Sequence, residues 1–173
     1  AAADDNMSFL FHACAGAPGP AAERAALLHF LLEAGASTIG FHHRDAAGLS
    51  ALGLAVRAAV GAETTGADYE ERSAALSVVR SLLEARAHPD GEDSGSSVDG
   101  DLTETFPAAT NLPTPLMEAA GGGSIDVCEL LLRHRANIER PCATGGCALD
   151  YARDCLDAEE DIVGFLLSWW KVL

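Results

Sequence analysis

The cysteines of this 173-residue chain are the side chains best suited to metal chemistry, but their spacing gives only half of a metal site. Cys142 and Cys147 are separated by four residues, with His134 before them and Cys155 after them. Structural zinc sites usually combine such a pair with a second pair at similar spacing, and no second pair follows here. The five cysteines are also an odd number, without the spacing of a disulfide-rich secreted domain. The pattern therefore predicts no metal and no cofactor.

Carboxylates are concentrated between residues 90 and 104, the stretch whose chemistry comes nearest to a calcium loop. Read as a twelve-residue loop, Asp90 takes the first position, Gly95 the sixth and Asp101 the twelfth. The last ligand of such a loop is a bidentate glutamate, and here it is an aspartate with no clear helix after it. Glycines, serines and like charges instead predict a solvated acidic insert over 90–107. A contact with a basic partner and a calcium-responsive regulatory role are the alternatives.

Motifs for nucleophilic, phosphoryl-transfer and hydride-transfer catalysis are absent from the sequence. It contains no Gly-x-Ser-x-Gly, no P-loop, no dinucleotide-binding glycine pattern and no His-Glu-x-x-His. The six histidines are scattered, and only His42 and His43 are adjacent, followed by Arg44. This small cluster is either a solvated tip or a contact site for another protein. We therefore predict that the chain is not an enzyme.

The net charge of −15 argues against nucleic acids and anionic membranes as partners, because basic surfaces bind phosphates. An acidic chain fits a basic protein partner or simple solubility. No apolar stretch reaches the ~18–20 residues of a membrane span. The chain begins Ala1-Ala2-Ala3 without methionine, as after removal of a targeting segment or after trimming. We expect an intracellular protein, either cytoplasmic or organellar.

One segment, from Thr114 to Glu139, contains a recognisable sequence motif: TPLMEAAGGGSIDVCELLLRHRANIE. It resembles one ankyrin repeat, whose pattern opens Thr-Pro-Leu-His, passes through Ala-Ala to a glycine turn, and continues Val-Val-x-Leu-Leu-Leu-x-x-Gly-Ala-Asp. The resemblance implies that Thr114 starts a first helix and that Gly123 makes the turn to a second helix. It also implies that Cys128 is buried, where it would pack as a small hydrophobe.

Fainter copies of the phrase occur near Ser8, Asp45 and Gly145, so similar units cover nearly the whole chain. One repeat cannot bury its own apolar face, and several must stack. We therefore expect a single all-α domain, an ankyrin-repeat solenoid of paired antiparallel helices. Its four repeats are placed at about 4–40, 42–88, 109–141 and 142–173.

The spacing of equivalent leucines shows where the repeats carry inserts. Leu116 and Leu149 are 33 residues apart, the usual ankyrin period. Leu116 to Leu132 spans 16 residues within repeat three, whereas Leu52 to Leu83 spans 31 within repeat two. We expect this excess of 15 residues, with Gly61 and Gly66, to lengthen the turn between the paired helices of repeat two. Similar comparisons place shorter turn inserts in repeats one and four, and the acidic insert before repeat three.

The last helix is apolar over most of its circumference. On a helical wheel its polar residues, Asp161 to Lys171, fall within an arc of about 80°, and Trp169 and Trp170 lie about 100° apart. A helix with one neighbour needs an apolar stripe only a little wider than 100°. We therefore expect this helix to dock on a partner or to fold back on the repeats, with different roles for the two tryptophans.

These patterns predict a non-catalytic protein–protein interaction module that acts through its ankyrin repeats. The alternative within the binding class is an accessory or assembly subunit, permanently embedded in a larger multiprotein complex. By resemblance, ankyrin proteins contact partners through projecting hairpins and a concave helical surface. The candidate partner-binding residues are His42, His43, Arg44, Leu49, Arg57, Thr110, Asn111, Thr144, Arg153, Trp169 and Trp170.

Overall fold

A computed structural model of the chain describes residues 20–33, 49–91, 112–142, 145–154 and 160–171. Within these ranges the regular structure consists of seven α-helices. They are α1 (Ala21–Glu33), α2 (Ala51–Thr64), α3 (Tyr69–Glu84), α4 (Pro115–Gly121), α5 (Ile125–Arg133), α6 (Ala148–Asp154) and α7 (Glu160–Trp170).

The helices form stacked pairs. The partners α2 and α3, α4 and α5, and α6 and α7 pack against each other. The first helices of successive pairs also pack together, α2 on α4 and α4 on α6, while α1 packs on α3 and α3 on α5. The predicted all-α fold is confirmed. The count of four repeats stays a prediction, because residues 1–19 and 34–48 lie outside the described residues.

Polar N-caps decide where these helices begin. In four of them the residue before the helix accepts a hydrogen bond from the backbone N–H three positions on, which satisfies a donor that the helix itself leaves unpaired. The Thr114 hydroxyl accepts from Met117 N, and the Thr114 N–H donates to Met117 Sδ at 3.4 Å. Pro115 follows at the first helical position, where no N–H is needed. The predicted start of the first helix of repeat three is confirmed. The other caps are Ser50, Asp68 and Ser124.

Two second helices end on an arginine in the left-handed backbone conformation. Arg86 after α3 has φ 71° and Arg135 after α5 has φ 69°. The N–H of each donates to a carbonyl three residues back, and the next N–H, from Ala87 or Ala136, donates to the carbonyl five residues back. This closing pattern favours glycine, since a side chain is strained at positive φ. The ankyrin phrase has glycine at this position.

Repeat two corrects the expected placement of its insert. Helices α2 and α3 contain 14 and 16 residues, against 7 and 9 in α4 and α5. The turn over 65–68 is only one residue longer than the turn over 122–124. The excess of 15 residues therefore extends both helices by seven residues each, and the expectation of a long turn was wrong. Gly61 lies inside α2, where alanine-rich neighbours outweigh its cost of about 1 kcal/mol. Gly66 alone is in the turn, at φ 69°.

The first prediction concerns the left-handed arginines. Arg86→Gly and Arg135→Gly should each raise the free energy of unfolding by about 0.5–1 kcal/mol, because relief of strain exceeds the entropy that glycine gains in the unfolded chain. Gly123→Ala is the matched control, since φ there is +75° and an added Cβ meets no atom within 4 Å. It should lower stability by about 1 kcal/mol, an effect of the backbone alone. Urea denaturation measures all three, and a lower stability for Arg86→Gly would contradict the assigned conformation.

A second prediction tests how closely repeats two and three approach. A Cβ built on Gly122, at the end of α4, would overlap Cγ1 of Val60 in α2. Gly122→Ala should therefore destabilise the fold by about 1–3 kcal/mol, the usual cost of overpacking. In a Val60→Ala background the same substitution should cost less than half as much, because the overlapping methyl group is gone. Equal costs in the two backgrounds, measured as a double-mutant cycle, would show that the two repeats do not touch here.

Candidate functional site

Six of the predicted partner-binding residues lie outside the described residues, and they stay predictions. They are His42, His43, Arg44, Thr110, Asn111 and Thr144. The other five are placed by the structure, and they do not form one site. Leu49 and Arg57 belong to the start and middle of repeat two, Arg153 to the end of α6, and Trp169 and Trp170 to the end of α7.

Leu49 is directed into the protein rather than toward a partner. Its side chain is 6% exposed and lies over the first turn of α2, where a Cβ on Gly53 would come within 3.5 Å of Leu49 Cδ2. Leu49 precedes the N-cap Ser50, so its side chain covers the start of the helix. The spacing placed this residue at the hairpin, but it could not show which way the side chain turns.

The first helices of successive pairs present a continuous polar face. Arg57 of α2 and Glu118 of α4 form an ion pair with an Nη2–Oε1 distance of 2.5 Å. Half of the Arg57 side chain remains accessible, whereas the Glu118 side chain is 21% exposed. An ion pair this exposed contributes at most about 1 kcal/mol to folding. Its guanidinium and carboxylate are therefore available to a partner at small cost to the fold. We call this surface the inner face; it comprises Arg57, Glu118, Gly121, Tyr151 and Asp154.

Tyr151 continues the inner face from α4 to α6. Its ring packs beside Gly121, where an added Cβ would be 3.6 Å from Cδ1 of the ring. The Tyr151 hydroxyl donates to Cys142 Sγ at 3.7 Å, and this bond, followed by burial, raises the pKa of the phenol. The charges of Glu118 and Asp154 raise that pKa further. Arg153 is exposed on the same helix. Sequence spacing indicated Arg57 and Arg153 but missed Glu118 and Tyr151.

The hairpin side of the stack is held by Asp90, the residue that would begin a calcium loop. Its Oδ1 accepts a hydrogen bond from the Asn137 N–H at 2.8 Å, and its Oδ2 lies 3.9 Å from Nη1 of Arg140. The Asp90 side chain is 8% exposed and links the ends of repeats two and three. The other proposed ligands lie beyond residue 91, outside the described part of the chain. In the described ranges no three His, Cys, Asp or Glu side chains are grouped to hold a metal ion.

The two tryptophans of α7 have different surroundings. Ile162 and Leu166 are buried, and Trp169 packs partly buried against the core, with its ring edge-on to Phe165 at a centroid distance of 6.4 Å. Trp170 is 46% exposed. This difference agrees with the offset of about 100° between adjacent helical positions. Trp169 therefore stabilises the end of the stack, and Trp170 is available at the surface.

A cleft between α3 and α5 was not predicted from the sequence. Its volume is about 630 Å³, and it lies where the lengthened α3 passes α5. One wall consists of α3 residues that include Arg72, Leu76 and Arg80, and Ile125 and Leu130 of α5 line the other. The α3 wall of the cleft could have been predicted from the sequence. Arg72, Leu76 and Arg80 stand at positions i, i+4 and i+8, which share one face of a helix. We call this surface the overhang cleft.

Cys128 shows why a buried thiol in this fold is not a reactive one. It is fully buried in α5, and burial, with a smaller effect of Glu63, raises the pKa of its thiol to about 12. The thiolate is the reactive species, and at pH 8 almost none of it is present at such a pKa. Cys147 is partly exposed. The buried position that the repeat phrase implies for Cys128 is confirmed.

The third prediction follows from this difference in exposure. At pH 8 iodoacetamide should modify Cys147 at least about tenfold faster than Cys128 in the folded protein, because the reagent needs an accessible thiolate. Peptide mass spectrometry after short exposures gives both rates in one sample. In concentrated urea the two rates should converge, which controls for intrinsic reactivity. Equal rates in the folded protein would show that α5 does not bury Cys128.

Comparison with known proteins supports the resemblance to an ankyrin repeat in the part of the chain that forms α4 and α5. The ankyrin repeat family model matches residues 113–143, which contain α4 and α5. The Ankyrin repeat and KH domain-containing protein mask of Drosophila melanogaster is 56% identical over 32 residues. That match covers 18% of this chain and about 1% of the much longer relative. Separately, none of the described helices is both long and apolar enough to cross a bilayer.

Proposed function

Since the chain is an ankyrin-repeat protein, we propose that it is a non-catalytic module that binds another protein through its inner face. The observation that carries this proposal is the polar face that continues from α2 through α4 to α6, of which α4 lies within the ankyrin match. Arg57 and Glu118 are held in register by their ion pair, so a partner would meet a largely preformed surface. Preformed surfaces lose less conformational entropy on binding.

The charge of the inner face suggests the chemistry of its partner. Glu118 and Asp154 both act on Tyr151, and Arg57 is already paired with Glu118. The whole chain carries a net charge of −15. Complementary charge accelerates association and selects partners more than it adds affinity. We therefore propose a protein partner with a basic or polar contact surface, which would insert side chains between Arg57 and Tyr151.

A second candidate is a permanent subunit of a larger protein assembly. The observation that favours it is apolar exposure at both ends of the described stack. Phe30 and Leu27 of α1 are 65% and 48% exposed, and Trp170 of α7 is 46% exposed. Large aromatic side chains near an open helix end often anchor obligate interfaces. This candidate uses α1 and α7, whereas the first uses the inner face, so substitutions can separate the two.

The fourth prediction separates these candidates by capture from the native source. The double variant Glu118→Lys, Asp154→Lys should reduce retention of specific partners by at least about tenfold, since reversed charges on the inner face disfavour contact with a basic partner. Trp170→Ser should leave retention unchanged if the inner face binds and should abolish it if α7 does. Glu84→Lys, an exposed charge reversal on α3, is the matched control. Circular dichroism must show that all variants are folded, and full retention by every variant would contradict both candidates.

A further inference from the structure

The aromatic ring of Tyr151 is held in one orientation on the inner face. Its hydroxyl donates to Sγ of Cys142, which is itself buried, at 3.7 Å. A Cβ on Gly121 of α4 would be 3.6 Å from Cδ1 of the ring, and a Cβ on Gly146, in the turn before α6, would be 3.6 Å from Cε2. These two neighbours carry no side chain that could cover the ring. Since Tyr151 is partly exposed, it offers a fixed aromatic surface to a partner.

Two carboxylates belong to the same surface as this ring. Asp154 follows Tyr151 by one turn of α6, a spacing at which helical side chains are neighbours. On α4, Glu118 precedes Gly121 by the same interval. The pKa of the phenol is raised first by its hydrogen bond to Cys142 and by burial, and then by the charges of Glu118 and Asp154. The phenol therefore lies in a negative electrostatic field.

Glu118 keeps one of its carboxylate oxygens available. Its Oε1 accepts from Nη2 of Arg57, whereas Oε2 accepts no hydrogen bond from the described residues. The Glu118 side chain is also partly exposed. A donor from another protein can therefore reach Oε2 and leave the pair with Arg57 intact.

Two arginines of this chain share the surface, but neither occupies the ring. Arg57 is paired with Glu118, and Arg153 is exposed on α6. Within the described residues no cation stacks on Tyr151. A cation close to the ring would lower the pKa of the phenol, and neither arginine does so. The ring and the carboxylates are thus left for a cation that another protein supplies.

We propose that the Tyr151 subsite, formed by the ring of Tyr151 with Glu118 and Asp154, binds one arginine side chain of the partner protein. The guanidinium stacks on the ring and donates to Glu118 Oε2 and to the Asp154 carboxylate. Arginine suits this arrangement better than lysine, because its planar group stacks and donates hydrogen bonds at the same time. The inference rests on the proposed binding through the inner face, and it specifies which side chain that face selects.

The experiment uses the intact chain with isotope-enriched tyrosine, whose two tyrosines give two sets of ring resonances. Tyr69 is 77% exposed on α3 and is the internal control. The probes are short peptides enriched on the chain from a phage-displayed library. Peptides that contain arginine should shift the Tyr151 resonances and leave those of Tyr69 unchanged. Replacing that arginine by citrulline, its neutral isostere, should raise the dissociation constant at least about tenfold, because the cation–π contact and the charge-assisted bonds are both lost.

Variants of the protein assign the effect to the ring. Tyr151→Leu should also raise the dissociation constant at least about tenfold, and citrulline should then cost less than it does with the wild type. Tyr151→Phe keeps the ring and should cost less than about threefold, which separates the ring from its bond to Cys142. Tyr69→Leu is the matched control and should leave the affinity unchanged. Circular dichroism must show that every variant is folded.

Three outcomes would overturn the proposal. Binders that are lost in the Glu118→Lys, Asp154→Lys variant, but lack arginine or tolerate citrulline, would sustain the inner face and reject the arginine subsite. Binders that need arginine, but bind Tyr151→Leu as tightly as the wild type, would place the cation away from the ring. Binders unaffected by any of these variants would reject both the subsite and the proposed function.

Discussion

Everything in this molecule depends on the contact between successive helix pairs, because no pair can bury its own apolar side. The contact is made on small residues. Ala55, Ala59, Ala119, Ala148 and Ala152 are all at most 2% exposed, and they lie in the first helices of the three pairs. Alanine lets the backbones approach closely, and beside Gly122 not even a Cβ can be added without overlap with Val60. The second helices bury larger side chains, such as Leu82 and Leu131.

The same constraint explains why some surfaces of the stacked helices are left uncovered. Where α2 and α3 outgrow α4 and α5, the extra turns of α3 keep α1 as a neighbour on one side, and no described helix covers them on the other. At α7 the stack ends on an apolar helix with Trp170 exposed. The exposed surfaces at the overhang cleft and at α7 are therefore places where the stacking rule is satisfied on one side only, whereas the inner face runs along the stacked first helices.

Much of repeat three could be predicted from the sequence because its helix boundaries are set by local chemistry. Thr114 is the N-cap of α4, Pro115 is its first residue, and Gly123 makes the following turn at positive φ. None of these roles depends on a distant residue. The left-handed residues Arg86 and Arg135 stand where the repeat motif has glycine, so the sequence holds a signal for that conformation. The exposure difference between Trp169 and Trp170 followed from helical geometry alone.

The remaining features could not be predicted because they depend on how residues pack rather than on spacing along the chain. Leucine spacing gave the size of the insert in repeat two but not its conformation, and Gly61 favoured a turn although its neighbours favour a helix. The side chain of Leu49 turns inward through packing on its own helix, which spacing does not reveal. The overhang cleft arises from a difference in length between two repeats, so neither repeat alone contains a signal for it.

Amide hydrogen exchange followed by mass spectrometry tests most directly whether repeat two is lengthened by helix. The residues over 58–64 and 69–75 are those that distinguish an extended helical pair from a long turn. If they are helical, their exchange should be slowed on the order of 100-fold or more relative to an unstructured chain, close to the protection over 51–57 and 76–84. Exchange of 58–64 and 69–75 at the unstructured rate, beside protected flanking segments, would contradict the overhang and remove the cleft built on it.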